Sequence, residues 1–304
     1  MDNSMLVASV KGLIKDYGRS RILKDINIDI RSLNSSGEII GCVGPNGAGK
    51  TTLLKILAGI VSPTVGKVTL PEEGLIDGSP GIGMVLESAP FVEYLSGYKN
   101  LELLGFIKNV VTGAQIKETI LRVGLNPDDK KKVKHYSYGM RQRLALAQAI
   151  MEKPRLLLLD EPANGLDAQA IIELRDIITS LAKEDGTAIF LASHLLTEVE
   201  KVCDKVLLMK NGRIVKTFDK NSSEQVPVVV EVSSDLDMER LDRWSKENLH
   251  IINILTAKKV SIMSNVATPY LIESLVNFGV KIEGVGRKTP SLEEEFISLL
   301  GGDV

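Results

Sequence analysis

Nine consecutive residues, Gly44-Pro45-Asn46-Gly47-Ala48-Gly49-Lys50-Thr51-Thr52, satisfy the spacing Gly-x-x-x-x-Gly-Lys-Ser/Thr. Glycines at this spacing let the backbone curl until several N–H groups point into one concavity, a nest for an anion. The strand-like run Ile39-Ile40-Gly41-Cys42-Val43 leads in, and Leu53-Leu54-Lys55-Ile56-Leu57 reads as the helix behind it. The helix N-terminus adds the positive end of its dipole to the concavity. Such a loop cradles phosphates. Lys50 is placed to reach the β- and γ-phosphates, and the Thr51 hydroxyl is a hard oxygen ligand suited to Mg²⁺.

A second group lies far downstream. Leu156-Leu157-Leu158-Leu159 ends at Asp160-Glu161-Pro162, and Ala188-Ile189-Phe190-Leu191-Ala192 ends at Ser193-His194. Apolar runs this short and this continuous suit strands buried on both faces of a parallel sheet. In doubly wound sheets the ligand sits at the carboxyl ends of the strands. Asp160 is then placed to bind Mg²⁺ through water, and Glu161 to polarise an attacking water as general base. His194 should reach the same edge, where it could donate a hydrogen bond to a γ-phosphate.

Other elements must hold these groups. Ile26-Asn27-Ile28-Asp29-Ile30 alternates as a strand with one apolar face, and Tyr17-Gly18 marks the turn before it. Asn34-Ser35-Ser36-Gly37 reads as a break, and Ser62 to Gly66 as a turn before the strand Lys67–Leu70. From about residue 88 the pattern becomes helical, with Leu101 and Leu104, then Ile116, Ile120 and Val123, at helical spacing. Asn211-Gly212 between two apolar runs is a hairpin signal. A polar linker follows at 219–227. Beyond it come a strand at Val228, a helix carrying Met238, Leu241 and Trp244, strands near 251–255 and 260–263, a helix from Thr268-Pro269 to Gly279, and a strand at 281–285. That order, β-α-β-β-α-β, predicts a small ferredoxin-like domain. A last helix is expected from Ser291 to Leu300, with Glu294 placed for a capping box.

The whole reads as an α/β P-loop NTPase core of the RecA-like type, with N-terminal antiparallel β strands and a helical insertion, followed by a small α+β accessory domain. The expected domains are 1–220, with the helical part at about 88–150, and 221–304. At 304 residues the chain can bury two cores, and its net charge of -2 gives no footprint for nucleic acid. Two cysteines, Cys42 and Cys203, form no disulfide framework and fit a reducing compartment. No run of 18 apolar residues is present to span a bilayer, so any membrane role is expected to come from a partner.

These motifs together resemble those of the ATP-binding cassette (ABC) ATPases over roughly residues 6–220. Gly44–Thr52 resembles the family's Walker A, Leu156–Glu161 its Walker B, Asn164-Gly165-Leu166-Asp167 its D-loop and His194 its switch histidine. Tyr17 is similar to the aromatic that stacks on adenine, and a turn tyrosine can offer a flat face to a base. The family signature Leu-Ser-Gly-Gly-Gln stands here as Tyr136-Ser137-Tyr138-Gly139-Met140, which keeps Ser137 and Gly139 at the start of a helix. The resemblance implies ATP and Mg²⁺ as cofactors. It also implies a head-to-tail homodimer in which Ser137 and Gly139 of one copy close over the nucleotide of the other.

Where the family has a Mg²⁺-ligating Gln after an apolar run, this chain has Glu87 after Met84-Val85-Leu86. With Ala89–Gly97 and Met140-Arg141-Gln142-Arg143, that substitution is similar to the ATP-binding subunits of lantibiotic-immunity and bacitracin-resistance exporters. The implied function is ATP hydrolysis powering export of an antimicrobial peptide or drug through a separate transmembrane permease. The protein would then be cytoplasmic and peripheral on the inner face of the cell membrane. The alternative is a non-transport ABC ATPase of mechanical or translation-associated type.

Overall fold

The computed structural model describes residues 4–33, 36–70, 81–86, 90–108, 111–220, 228–248, 251–263 and 268–287. The chain separates into two compact units, Met1–Lys220 and Asn221–Val304.

In the first unit, β1 (Ser4–Tyr17) and β2 (Ser20–Leu33) pair antiparallel through the turn at Gly18. Ile26, Ile28 and Ile30 are all buried, so the alternation in the sequence is the alternation of the sheet. A two-residue strand β3 (Ser36–Gly37) adds to β2, where the sequence reading expected a break. Gly37 makes this pairing feasible: a Cβ there would lie 1.9 Å from the Thr187 carbonyl oxygen. The strand β4 (Ile39–Val43) and helix α1 (Lys50–Leu57) follow, and β5 (Val65–Thr69) returns to complete a four-stranded sheet ordered β3-β2-β1-β5.

The central sheet contains β4 together with β6 (Ile82–Val85), β7 (Leu156–Asp160), β8 (Ala188–Ser193), β9 (Lys205–Lys210) and β10 (Arg213–Asp219). Its order is β10-β9-β4-β8-β7-β6, parallel except for the β9–β10 hairpin. Every residue of β4, β7 and β8 is buried, as continuous apolar runs require. Asn211 and Gly212 turn the hairpin, both at positive φ.

The insertion is helical as expected: α2 (Gly97–Lys108), α3 (Gly113–Arg122), a turn of 3-10 helix at Val133–His135, and α4 (Tyr138–Ile150). Thr112 and Gln115 form a capping box at the start of α3, and Leu101, Ile116, Ile120 and Val123 turn inward. Beyond β7, α5 (Ala168–Asp185) starts at the Asp167 cap, and α6 (Leu196–Val202) separates β8 from β9. The motif scan did not anticipate α6, which has seven residues and one buried position, Val199.

The second unit contains β11 (Val228–Val232), α7 (Asp235–Glu247), β12 (Ile251–Thr256), β13 (Lys259–Met263), α8 (Thr268–Asn277) and β14 (Ile282–Arg287). Its sheet is antiparallel in the order β12-β13-β11-β14. Val228, Val230, Val232, Val260 and Ile262 bury against Leu241, Trp244, Leu271 and Leu275. The Trp244 indole is fully packed, and its N–H donates to Ser274 Oγ at 2.9 Å. The expected helix at 291–300 lies outside the described residues, as do residues 221–227 of the linker expected at 219–227, whose first residue, Asp219, instead ends β10.

Candidate active site

The order of the central sheet decides which residues meet. β8 lies between β4 and β7, and the registers Val43↔Ser193 and Asp160↔Ala192 bring the carboxyl ends of all three strands level. The loop after β4, the acidic pair after β7 and the histidine after β8 therefore open onto one edge.

The loop Gly44–Gly49 is shaped by backbone that only glycine tolerates well. Gly47 and Gly49 have φ of 80° and 107°. Gly44 answers a different need, since a Cβ there would come within 2.1 Å of the Met209 carbonyl oxygen on β9. The helix ladder starts inside the loop, with Leu53 N–H donating to Gly49 O at 2.9 Å. No side chain caps α1, so its first N–H groups remain for a ligand. Lys50, 7% exposed, folds back and donates to Gly44 O at 2.8 Å.

Glu161 joins the three strand ends. Its Oε1 lies 3.7 Å from Lys50 Nζ, and its Oε2 lies 2.7 Å from His194 Nδ1. The His194 backbone N–H donates to the same Oε2 at 3.2 Å. Glu161 itself has φ of 48°, held by its own N–H donating to Ala192 O at 2.9 Å. A non-glycine residue in that conformation costs on the order of 1 kcal/mol or more, and such strain gathers at functional sites. A carboxylate only accepts, so the His194 proton here is on Nδ1. To donate to a phosphate as the sequence suggested while it holds Glu161, the ring would need a proton on Nε2 as well.

Asp160 ends β7 at 4% exposure, and Thr51 lies open on the first turn of α1. Among the described residues no group of three or more His, Cys, Asp or Glu forms a metal cage. Mg²⁺ usually takes one or two carboxylates and completes its shell with water and substrate phosphates. Glu87 lies outside the described residues.

Tyr17 stands at the β1–β2 turn, half exposed, with the Lys15 ammonium 4.7 Å from its ring centroid. The same hairpin reaches the phosphate loop: a Cβ on Gly49 would meet the Leu23 side chain at 2.7 Å and Ile22 O at 3.3 Å. Lys15 was not singled out from the sequence, where its only signal is a position two residues before Tyr17.

Ser137 caps α4, its Oγ accepting from Met140 N–H at 3.2 Å, and Gly139 lies in the first turn. This turn is tied to the segment after Glu161. The Tyr138 ring packs on Gly165, Gln142 Nε2 donates to Pro162 O at 3.3 Å, and Arg143 pairs with Glu173 of α5. Gln142 and Tyr138 were missed as linking residues because they contact a loop twenty or more positions away.

The comparisons agree with this architecture. A family model described as ABC transporter matches residues 23–164. YdbJ of Bacillus subtilis (strain 168), an ABC transporter ATP-binding protein, is 36% identical over 297 residues, covering 96% of this chain and 94% of its own. The bacitracin transport ATP-binding protein BcrA of Enterococcus faecalis is 37% identical over 214 residues, 69% of this chain and 68% of its own. Among solved structures, the dimeric bacterial ABC transporter cassette MJ0796 overlays with a TM-score of 0.61 at 23% identity, covering 71% of this chain and 99% of that one. The chain belongs to the ABC transporter family.

Proposed function

We propose that residues 1–220 form an ATPase cassette that binds MgATP at the edge formed by β4, β7 and β8 and hydrolyses it in a closed homodimer. The observation that carries this reading is Glu161, held between Lys50 and His194. Gly44, Pro45, Asn46, Gly47, Ala48 and Gly49 form the phosphate nest, with Lys50 supplying charge, Thr51 and Thr52 the first turn of α1, and Tyr17 a stacking face for adenine. Thr51 and Asp160 are the described residues suited to hold Mg²⁺, with Glu87 as a third candidate. The ion would neutralise charge on the phosphate oxygens. Glu161 takes the proton of the attacking water, and His194 fixes its carboxylate. Ser137 and Gly139, at the N-terminus of α4, suit the γ-phosphate of the opposing copy.

The work is export through a separate permease, at the inner face of the cell membrane. No described helix is long and apolar enough to cross a membrane. The helical layer does offer an apolar surface on α2, where Leu103, Phe106 and Ile107 are exposed, Phe106 by 83%. The transport role named for BcrA supports a bacitracin-like or other antimicrobial cargo. Residues 221–304 form an accessory domain, and their strand order with one helix after each of β11 and β13 supports a ferredoxin-like assignment.

The test is phosphate release by the purified protein. Release that requires both Mg²⁺ and ATP, and that rises more than linearly with protein concentration, is the expected result. Release that is absent with the permease subunit present, or that is insensitive to Mg²⁺, overturns it.

A further inference from the structure

His194 adjoins a short helix. It sits between the end of β8 and α6, and α6 is a seven-residue helix whose N-terminal residue, Leu195, supplies no side-chain cap. Helices this short do not persist on propensity alone. α6 therefore depends on its tertiary attachments. Val199 is buried against Gly41 of β4, where even a Cβ would come within 2.3 Å of Val199 Cγ1. Ser193 Oγ accepts from Leu195 N–H at 3.0 Å. A further tie crosses to α5: Arg175 Nη2 donates to Glu198 Oε2 at 2.6 Å, with both side chains about three-quarters buried.

This pair joins the two helices that lead away from the site. Asp167, the N-cap of α5, closes the turn that follows Glu161, and Leu195, the N-cap of α6, directly follows His194. A small cavity of about 30 Å³ lies at the junction, lined among others by Pro162, Ala163, Ser193, Arg175 and Glu198. Arg175 Nε is buried there with no hydrogen-bond partner among the described residues, so the guanidinium is held chiefly through Glu198. Burial pushes the Glu198 carboxyl upward, but hydrogen bonds from Arg175 and Lys201 outweigh it and hold the group below the ordinary glutamate range. Glu198 therefore stays ionised, and losing it strands a largely buried cation.

We infer that the Arg175–Glu198 ion pair is a latch that positions His194 against Glu161, making both positioning residues for ATP hydrolysis. The inference rests on the role given to His194 above. Glu198 also pairs with Lys201 within α6, at 3.0 Å, but that contact is local to the helix and cannot fix its place against α5.

A double-mutant cycle tests the latch. Glu198→Ala should lower kcat by about tenfold or more, the scale expected when a reacting group is misplaced, with KM for MgATP little changed. Arg175→Lys, which keeps the charge but loses the fork, should fall between, and Lys201→Ala should match wild type. In a His194→Ala background, Glu198→Ala should cost nothing further, because the latch acts through that ring. The ring signal of His194, assigned among the three histidines by its loss in His194→Ala, should move or broaden in Glu198→Ala. A wild-type kcat in a folded Glu198→Ala protein overturns the latch alone. So do losses that multiply across the cycle, which would mark a merely structural pair. Wild-type turnover in His194→Ala overturns the latch together with the role of His194.

Discussion

Glu161 Oε2 accepts twice from His194, from the backbone N–H at 3.2 Å and from the ring Nδ1 at 2.7 Å. One carboxylate oxygen is thus fully committed to a neighbouring strand, while Oε1 remains on the Lys50 side. A general base needs this division: one atom fixes the group, and the other is aimed at the proton to be removed. The positive φ of Glu161 is the backbone cost of that aim.

Glu161→Gln keeps the shape and removes the basic oxygen. Turnover should fall by about 100-fold or more, the lower end of general-base contributions, with MgATP affinity retained. The variant should also accumulate as a nucleotide-dependent dimer, since the closed state is no longer discharged. Light scattering with and without MgATP reads this directly, and a monomer under saturating MgATP would count against the two-copy site.

Lys50→Ala should weaken ATP binding. The ammonium is buried and spends its hydrogen bonds on Gly44 O and Pro45 O, ready to be exchanged for phosphate oxygens. Charge-assisted bonds of this kind are worth about 1.5–3 kcal/mol, so the dissociation constant should rise by about 10- to 100-fold. Equilibrium titration with a fluorescent ATP analogue would measure it. Unchanged affinity would remove Lys50 from the cradle.

Tyr17→Ala separates base from phosphate recognition. An aromatic platform under a base contributes about 1–3 kcal/mol, and the exposed ring is steadied on one side by Lys15. The loss should weaken ATP by about fivefold or more on the same scale. Competition by inorganic tripolyphosphate should be unaltered. Equal losses for both ligands would show that the hairpin has been disturbed rather than a stacking face removed. Tyr17→Trp should restore ATP binding.

How much was legible in the sequence follows from the range of each interaction. The strand, glycine loop and helix of residues 39–57 were readable because the glycines, the lysine and the hydroxyl are contiguous, and short-range sterics fix the turn. The buried strands were readable because four leucines in a row exclude an exposed face. The convergence of Lys50, Glu161 and His194 needed one more rule, that ligands gather at strand ends, and the interposition of β8 between β4 and β7 is what satisfies it. Arg175 and Glu198 were not legible. Each looks like an ordinary helical surface charge, and only the packing of α6 against α5 makes them partners. Ser36–Gly37 was misread because serine and glycine signal a turn, whereas β2 and the Thr187 backbone impose a strand pair there.

The two thiols test the rigidity of the strand that carries the phosphate loop. Cys42 is fully buried in β4, where burial pushes its thiol up to about 12 and the positive charge of Lys50 offsets only part of the rise. Cys203, buried at the end of α6, is pushed upward for the same reason. The thiolate is the reactive form, so both should resist an aromatic disulfide reagent at pH 8 in the native protein and react together in guanidinium chloride. Because β4 is paired on both sides, Cys42 should become reactive only at the rate of global unfolding. Cys203 depends on the short helix α6 and should react earlier under mild denaturant, and earlier still in Glu198→Ala. Equal rates for the two thiols in both proteins would mean that α6 is as firmly held as the central sheet.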